Sequence, residues 1–324
     1  MLLFDPAETT LVIAAPGHGA GYWAGAPSAT ADASGVHVGY RLRAPRPSRG
    51  YELRIASSND GRSFHDVWRV GSGELGSASI ERASLVPIPG GYRLYISYVD
   101  PSDDRWCIDL VEAERLEKFD ARARRPALRA ADFGLESVKD PVLLRDGDEW
   151  LMFTSFGSRD LPAPADAAAV DAPGDALATG RLLSCTGLAT SADGIEWRWA
   201  GPVLVPEPGG WDAHETRLAT VVRAGDEWVG LYDGIADISQ NYEERTGLAT
   251  STDLREWTRQ TTGAPLLSSP AASGSFRYAA ALDTGSEILV YHEVARADGA
   301  HELRLGITAR AAWARSARRP QRGR

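Results

Sequence analysis

Val138-Lys139-Asp140-Pro141-Val142-Leu143-Leu144 reads as a buried β-strand with a charged pair at its entry. A turn, Arg145-Asp146-Gly147-Asp148, follows it, and then a second strand from Glu149 to Phe156. Apolar entry strands of the same kind begin near Ala24, Ser79, His214 and Ser275. Alternation of apolar and polar residues, as in Val36 to Arg43 and Tyr92 to Val99, marks half-buried strands, and no long run has a helical period. The class is therefore all-β.

A second repeat sets the architecture. Ser58-Asn59-Asp60-Gly61-Arg62-Ser63-Phe64, Ser191-Ala192-Asp193-Gly194-Ile195-Glu196-Trp197 and Ser251-Thr252-Asp253-Leu254-Arg255-Glu256-Trp257 share one pattern, a turn between two strands with an aromatic opening the outer strand. The entry strands lie about 55 to 76 residues apart, above the ~40–50 per blade of common propellers. Five such repeats predict a five-bladed β-propeller of four-stranded antiparallel blades. The fifth repeat shows three strands, and Thr9–Ala15 at the N-terminus is expected to add the fourth and close the ring. An open sandwich or two β domains are the competing architectures. The domain is expected to span residues 1–310, with a basic, flexible tail at 311–324. The Ala-, Pro- and Asp-rich insert Leu161–Gly180 is read as a loop in preference to a lid.

The net charge of −9 argues against a nucleic-acid partner. No run approaches the ~20 apolar residues of a membrane span, and the start lacks the basic region of a signal peptide, so a cytoplasmic protein is expected. Cys107 and Cys185 are expected to be reduced, buried thiols.

In a closed ring of blades the entry of each inner strand, and the loop between the second and third strands, open on one face of the axis. Ionisable residues gather there: Glu81, Arg82, Lys139, Asp140, Glu215, Arg217 and Arg277 at strand entries, and Asp233, Glu243 and His292-Glu293 in the second-to-third loops. Buried charges are costly unless paired or hydrated, so the set is either a structural ring of salt bridges or a ligand site.

These positions resemble the five-bladed propeller glycosidases, notably glycoside hydrolase families 43 and 32. Lys139-Asp140-Pro141 is similar to their third-blade Asp-Pro motif, and Glu215 stands where their fourth-blade catalytic glutamate would be. The first blade departs from the pattern, with Ala26-Pro27 in place of an Asp before Pro. The resemblance implies hydrolysis of a small carbohydrate by two carboxyl groups flanking the bond. Glu215 would be the general acid, its pKa raised by burial and by neighbouring carboxylates, with Glu81 as base and Asp140 as the orienting carboxylate.

Arg82, Lys139, Arg217 and Arg277 entering one funnel suit a carboxylate or phosphate, unless each pairs with an adjacent acid. Phosphate there would make the chain a glycoside phosphorylase, and a non-catalytic sugar-binding propeller is the further alternative. A sialidase is disfavoured, because its box is one residue longer and its ring has six blades. Trp23, Trp106, Asp212, His214, Tyr242 and Tyr278 complete the candidate substrate-binding set. No His/Cys/Asp cluster has metal-ligand spacing and no cofactor is expected, although an axial Ca²⁺ or Na⁺ would leave no mark in the sequence.

Overall fold

The structure is a computed structural model that describes residues 3–164, 175–271 and 273–316. Strand β1 (Thr10–Ile13) is followed by β2 (Trp23–Asp32), β3 (Gly35–Ala44), β4 (Arg49–Ser58) and β5 (His65–Gly71), which form one antiparallel unit. Three separate four-stranded antiparallel sheets come next. They are β6 (Ile80–Ile88), β7 (Gly91–Val99), β8 (Trp106–Ala113) and β9 (Arg125–Arg129); β10 (Ser137–Asp146), β11 (Glu149–Gly157), β12 (Cys185–Ser191) and β13 (Arg198–Leu204); and β14 (Glu215–Ala224), β15 (Glu227–Ile235), β16 (Arg245–Ser251) and β17 (Thr258–Arg259). The chain ends with β18 (Phe276–Asp283), β19 (Glu287–Ala295), β20 (His301–Ala309) and a short helix, α1 (Arg310–Ser316).

The first and last units count as one eight-stranded sheet, but they meet at a single parallel pair, Trp23 with His301. On the other side of β20, β1 pairs antiparallel, so the N-terminal strand completes the last unit as expected. Apolar clusters fill each junction around the ring. Leu53 and Ile55 meet Ile80 and Leu94; Tyr95 and Ile108 meet Val138 and Met152; Leu151 and Leu188 meet Leu218 and Trp228. Val229 and Leu248 meet Phe276 and Ile288, and Tyr40 and Val38 meet Tyr291 and Leu303. The ring is held by apolar burial between neighbours, the dominant favourable contribution to folding.

The Ser-x-Asp turns join the third strand of a unit to its fourth. Ser58 Oγ accepts from Gly61 N at 2.9 Å, and Asp60 accepts from Arg62 N and Ser63 N at 2.8 and 2.9 Å. Ser191 with Asp193 and Ser251 with Asp253 repeat this geometry. A tyrosine of the preceding unit clasps two of these turns: Tyr291 donates to Gly61 O at 2.7 Å and Tyr95 to Gly194 O at 2.6 Å. The motif is thus structural, and it also pins units together.

Three expectations are corrected. Asp233-Gly234 and His292-Glu293 are not in loops; they lie inside β15 and β19, because the ladders continue through Arg217–Asp233 and Arg277–Glu293. The tail expected to be free from 311 starts with helix α1, whose Trp313 is buried in the cluster that holds Leu3 and Phe276. A large ring that finds an apolar pocket docks the chain even amid arginines. Residues 317–324 lie outside the described residues. So does the middle of the 161–180 insert, whose base is closed by a bridge between Pro162 and Leu182, and whose end forms a 3₁₀ turn, Ala176–Thr179. Both cysteines are free and buried. Among the described residues no helix is long and apolar enough to cross a membrane.

Candidate active site

Each innermost strand (β2, β6, β10, β14 and β18) breaks its register at the same depth: between Gly25 and Ser28, Ile80 and Ala83, Lys139 and Val142, Leu218 and Thr220, and Arg277 and Ala280. Such bulges re-aim side chains. At three of them a non-glycine residue takes a left-handed conformation, Ala26 (φ 50°), Asp140 (φ 59°) and Tyr278 (φ 53°), a strain usually met at functional sites. The bulge amides are held from the preceding unit. Ala26 N donates to Glu293 Oε2 at 3.0 Å, Tyr278 N to Asp233 Oδ2 at 2.9 Å, and Asp140 N to Ser97 Oγ at 3.3 Å.

Above the bulges lies a polar axial pocket. Glu81, Glu215 and Glu244 face Arg41, Arg43, Lys139, Arg217 and Arg277. Trp23, Tyr242 and Tyr278 supply aromatic walls, and Asp175, Leu177 and Ala178 bring the end of the insert over it. The space left free is about 10 Å³, room for roughly one water.

Most of the charge is internally paired. Glu81 takes Arg41 Nε at 3.0 Å and Arg43 Nη1 at 2.8 Å. Burial alone would raise its pKa, but these two guanidinium groups outweigh burial and hold it at about 2. Arg277 binds Glu244 at 2.5 Å and Glu293 at 2.6 Å, so that both carboxyls stay below the usual carboxylate range despite burial. Arg217 reaches Asp233 at 3.0 Å, Glu215 at 3.3 Å and Asp140 at 3.7 Å, and lies 3.9 Å above the Tyr278 ring.

Glu215 differs. Burial, reinforced by Glu244 and Asp233 against the pull of Arg217 and Lys139, pushes its pKa up to about 7. Its Oε1 makes no hydrogen bond among the described residues. Its proton is therefore held to much higher pH than that of an ordinary glutamate, on a buried side chain that lines the pocket. Arg41 Nη1 and Trp23 Nε1 are likewise buried without a hydrogen-bond partner among the described residues.

Eight of the sequence-derived residues line this pocket: Trp23, Glu81, Lys139, Glu215, Arg217, Tyr242, Arg277 and Tyr278. Asp140 lies behind it, 3.4 Å from the Tyr278 hydroxyl and 3.9 Å from Lys139 Nζ. Asp233 also lies behind, under Arg217. Trp106 backs the cations, with Lys139 Nζ 5.2 Å and Arg49 Cζ 5.6 Å from its ring. Asp212 binds Tyr232 and Arg259 away from the pocket, Glu243 bonds Ser273 and faces His301, and His214 is buried with its pKa lowered by burial. His292 is sandwiched between Phe4 and Phe276, where burial pulls its pKa down to about 3. Arg82 crosses to the far side of the bulges, onto Ala219 O and Ala279 O.

Sequence reasoning missed Arg41, Arg43 and the insert residues of the lining; from the loop stretch 241–245, which it places on this face, it selects Tyr242 and Glu243, where the lining takes Asn241, Tyr242 and Glu244. A signal existed for the first two: His37, Gly39, Arg41 and Arg43 occupy alternate places on β3 and therefore share one face. Among the described residues no group of three or more His, Cys, Asp or Glu side chains could hold a metal ion.

No protein family and no curated protein matches the sequence. Solved structures do match over most of the chain. One titled a glycoside hydrolase aligns with a TM-score of 0.69 at 14% identity, covering 94% of this chain and 91% of its own. A β-1,2-mannobiose phosphorylase from Listeria innocua, in complex with β-1,2-mannobiose, gives 0.63 at 15% identity over 98% and 97%. A thermostable family-43 glycoside hydrolase gives 0.61 at 14% over 88% and 89%. At such identities the likeness is one of fold, and the fold is that of these propeller-type carbohydrate-active proteins.

Proposed function

We propose that the chain is a five-bladed propeller enzyme that cleaves a glycosidic bond of a small, anionic carbohydrate, with Glu215 as the general acid. The observation that carries this reading is Glu215 itself, a carboxyl of the axial pocket whose pKa burial raises to about 7 and whose Oε1 makes no hydrogen bond among the described residues, beside carboxylates held ionised by arginine. Glu215 gives its proton to the departing glycosidic oxygen. In hydrolysis Glu81 takes a proton from the attacking water, and Asp140, behind Lys139 and Tyr278, orients the sugar-binding groups. The fold shared with proteins titled glycoside hydrolases and a mannobiose phosphorylase supports the substrate class.

A second reading is phosphorolysis, favoured by one observation. Glu81 is pinned by two arginines, Arg41 and Arg43, which makes it a weak base, and an attacking phosphate needs no protein base. Turnover of aryl glycosides by Glu215→Gln and Glu81→Gln, each with and without phosphate, tests both. Under hydrolysis both variants fall at least ~10²-fold. Under phosphorolysis turnover depends on phosphate and survives Glu81→Gln better than Glu215→Gln. Near-wild-type rates in both variants overturn the assignment.

A further inference from the structure

Past the bulges the same five inner strands line a second, partly open cavity of about 140 Å³, on the opposite side of the bulges from Glu215. Its walls come from equivalent places on each strand, among them Ser28, Ser84, Val142, Thr220 and Ala280, and Arg82 also borders it. The lining is small and mostly neutral, unlike the pocket above.

Arg82 stands out among the axial cations. Arg41, Arg43, Arg217 and Arg277 each contact a carboxylate within ion-pair distance. Arg82, only 3% exposed, has no such contact among the described residues; Asp140 and Asp233 act on it only from beyond that distance. Its side chain donates instead to two backbone carbonyls, Ala219 O at 2.6 Å and Ala279 O at 3.5 Å. Nε has no partner among the described residues. Burial lowers its pKa to about 10, the sign of a cation whose charge is not fully answered.

The hydroxyls of the cavity point to the same chemistry. Ser28 Oγ accepts from Leu85 N at 3.4 Å, and Thr220 Oγ1 accepts from Ala281 N at 3.0 Å. A hydroxyl that accepts still has its own hydrogen to give. The cavity therefore combines an incompletely neutralised guanidinium with hydroxyl donors, in a space large enough for several waters.

We propose that this cavity is a binding site for a small monoanion of the halide class, held by Arg82 and by the Ser28, Ser84 and Thr220 hydroxyls. One guanidinium supplies one charge to answer. Asp140 and Asp233 nearby penalise a dianion such as sulfate or hydrogenphosphate, whose second charge would face them without a counter-ion. The occupant would screen Arg82 and brace the five inner strands from below. This site is independent of the catalytic reading, because none of its hydroxyls borders the upper pocket.

The test uses the whole chain with bromide and chloride as probes. Crystals grown in sodium bromide are expected to show an anomalous peak in the cavity beside Arg82. Raising sodium chloride from about 5 to about 500 mM should raise Tm by at least about 2 °C more than sodium gluconate at equal ionic strength. Ser84→Ala should lower the bromide occupancy, and Arg82→Met should abolish both the peak and the chloride increment. Where Arg82→Met does not fold, Ser84→Ala carries the comparison. A cavity free of bromide in wild-type crystals, or equal responses to chloride and gluconate, overturns the proposal.

Discussion

Glu215 Oε1 and Arg217 Nη1 lie 3.3 Å apart in an ion-pair contact that is not a hydrogen bond. The arginine is near enough to lower the carboxyl pKa but does not saturate it, and burial wins. Activity that needs this proton should fall as pH rises through about 7. Stability follows the same sign. A folded pKa above the ordinary 4.5 gives a contribution fully present below about 4.5, declining as pH climbs, and gone above about 7. Glu215→Gln should flatten both profiles, measured by kcat/KM and by Tm between about pH 4 and 9.

Glu81 carries the opposite sign. Its pKa is held near 2, below the ordinary 4.5, so its contribution is present above 4.5 and lost as pH falls towards 2. Glu81→Gln leaves Arg41 and Arg43 facing an amide in a buried site. The expected cost is about 3–5 kcal/mol, read from denaturant unfolding at neutral pH. The wild type should lose its advantage over this variant in acid.

An aspartate at position 26 should not restore the pattern of the resembling glycosidases. Glu293 Oε2 already binds the Ala26 amide at 3.0 Å and lies where a Cβ on Gly25 would sit, at 2.0 Å. Ala26→Asp adds a carboxylate beside one already committed to Arg41 and Arg277. It should lower Tm by several degrees without a gain in turnover, and a clear gain would reassign the first-blade position.

Asp175 pairs with Arg49 at 3.3 Å and caps the 3₁₀ turn that brings Leu177 and Ala178 to the pocket. The proposed carbohydrate needs far more than the 10 Å³ now free, and this turn is the part of the lining that belongs to an insert and not to a sheet. Asp175→Asn should loosen it and speed ligand association a few-fold, visible in stopped-flow binding. Slower association would show that the Asp175 carboxylate holds the ligand and does not restrain the turn.

Trp313 is 1% exposed in a cluster with Leu3 and Phe276. Trp313→Ala should cost about 3–5 kcal/mol, read from denaturant unfolding.

The ring was legible because period-two strands, Asp-Gly turns and the N-terminal strand each follow local rules that packing did not override. Glu215, Lys139 and Arg217 were legible because a charge at a buried strand entry must find a counter-charge or a ligand, and either one gathers such residues at the axis. Arg41 and Arg43 were hidden by the same period-two reading: on a half-solvated sheet their face is the wet one, whereas in a closed ring it packs against the next unit, where both meet Glu81. His292 was placed at the mouth together with Glu293, yet adjacent residues on a strand point to opposite faces, and only Glu293 reaches the pocket arginines. Asp175 was beyond reach, since an insert has no register with the repeats.

Arg304 on β20 donates to Thr9 Oγ1 across a sequence separation of 295 residues, beside the β1–β20 seam. The residues that seal the ring are thus synthesised almost a full chain length before their partners. During synthesis the N-terminal strand waits without a ladder, and the last unit carries a bare edge until the strand arrives. Sealing of this kind is slow, because loop closure is paid before the contact rewards it. The seam is therefore the place where two copies could exchange their first strands before either has closed its own.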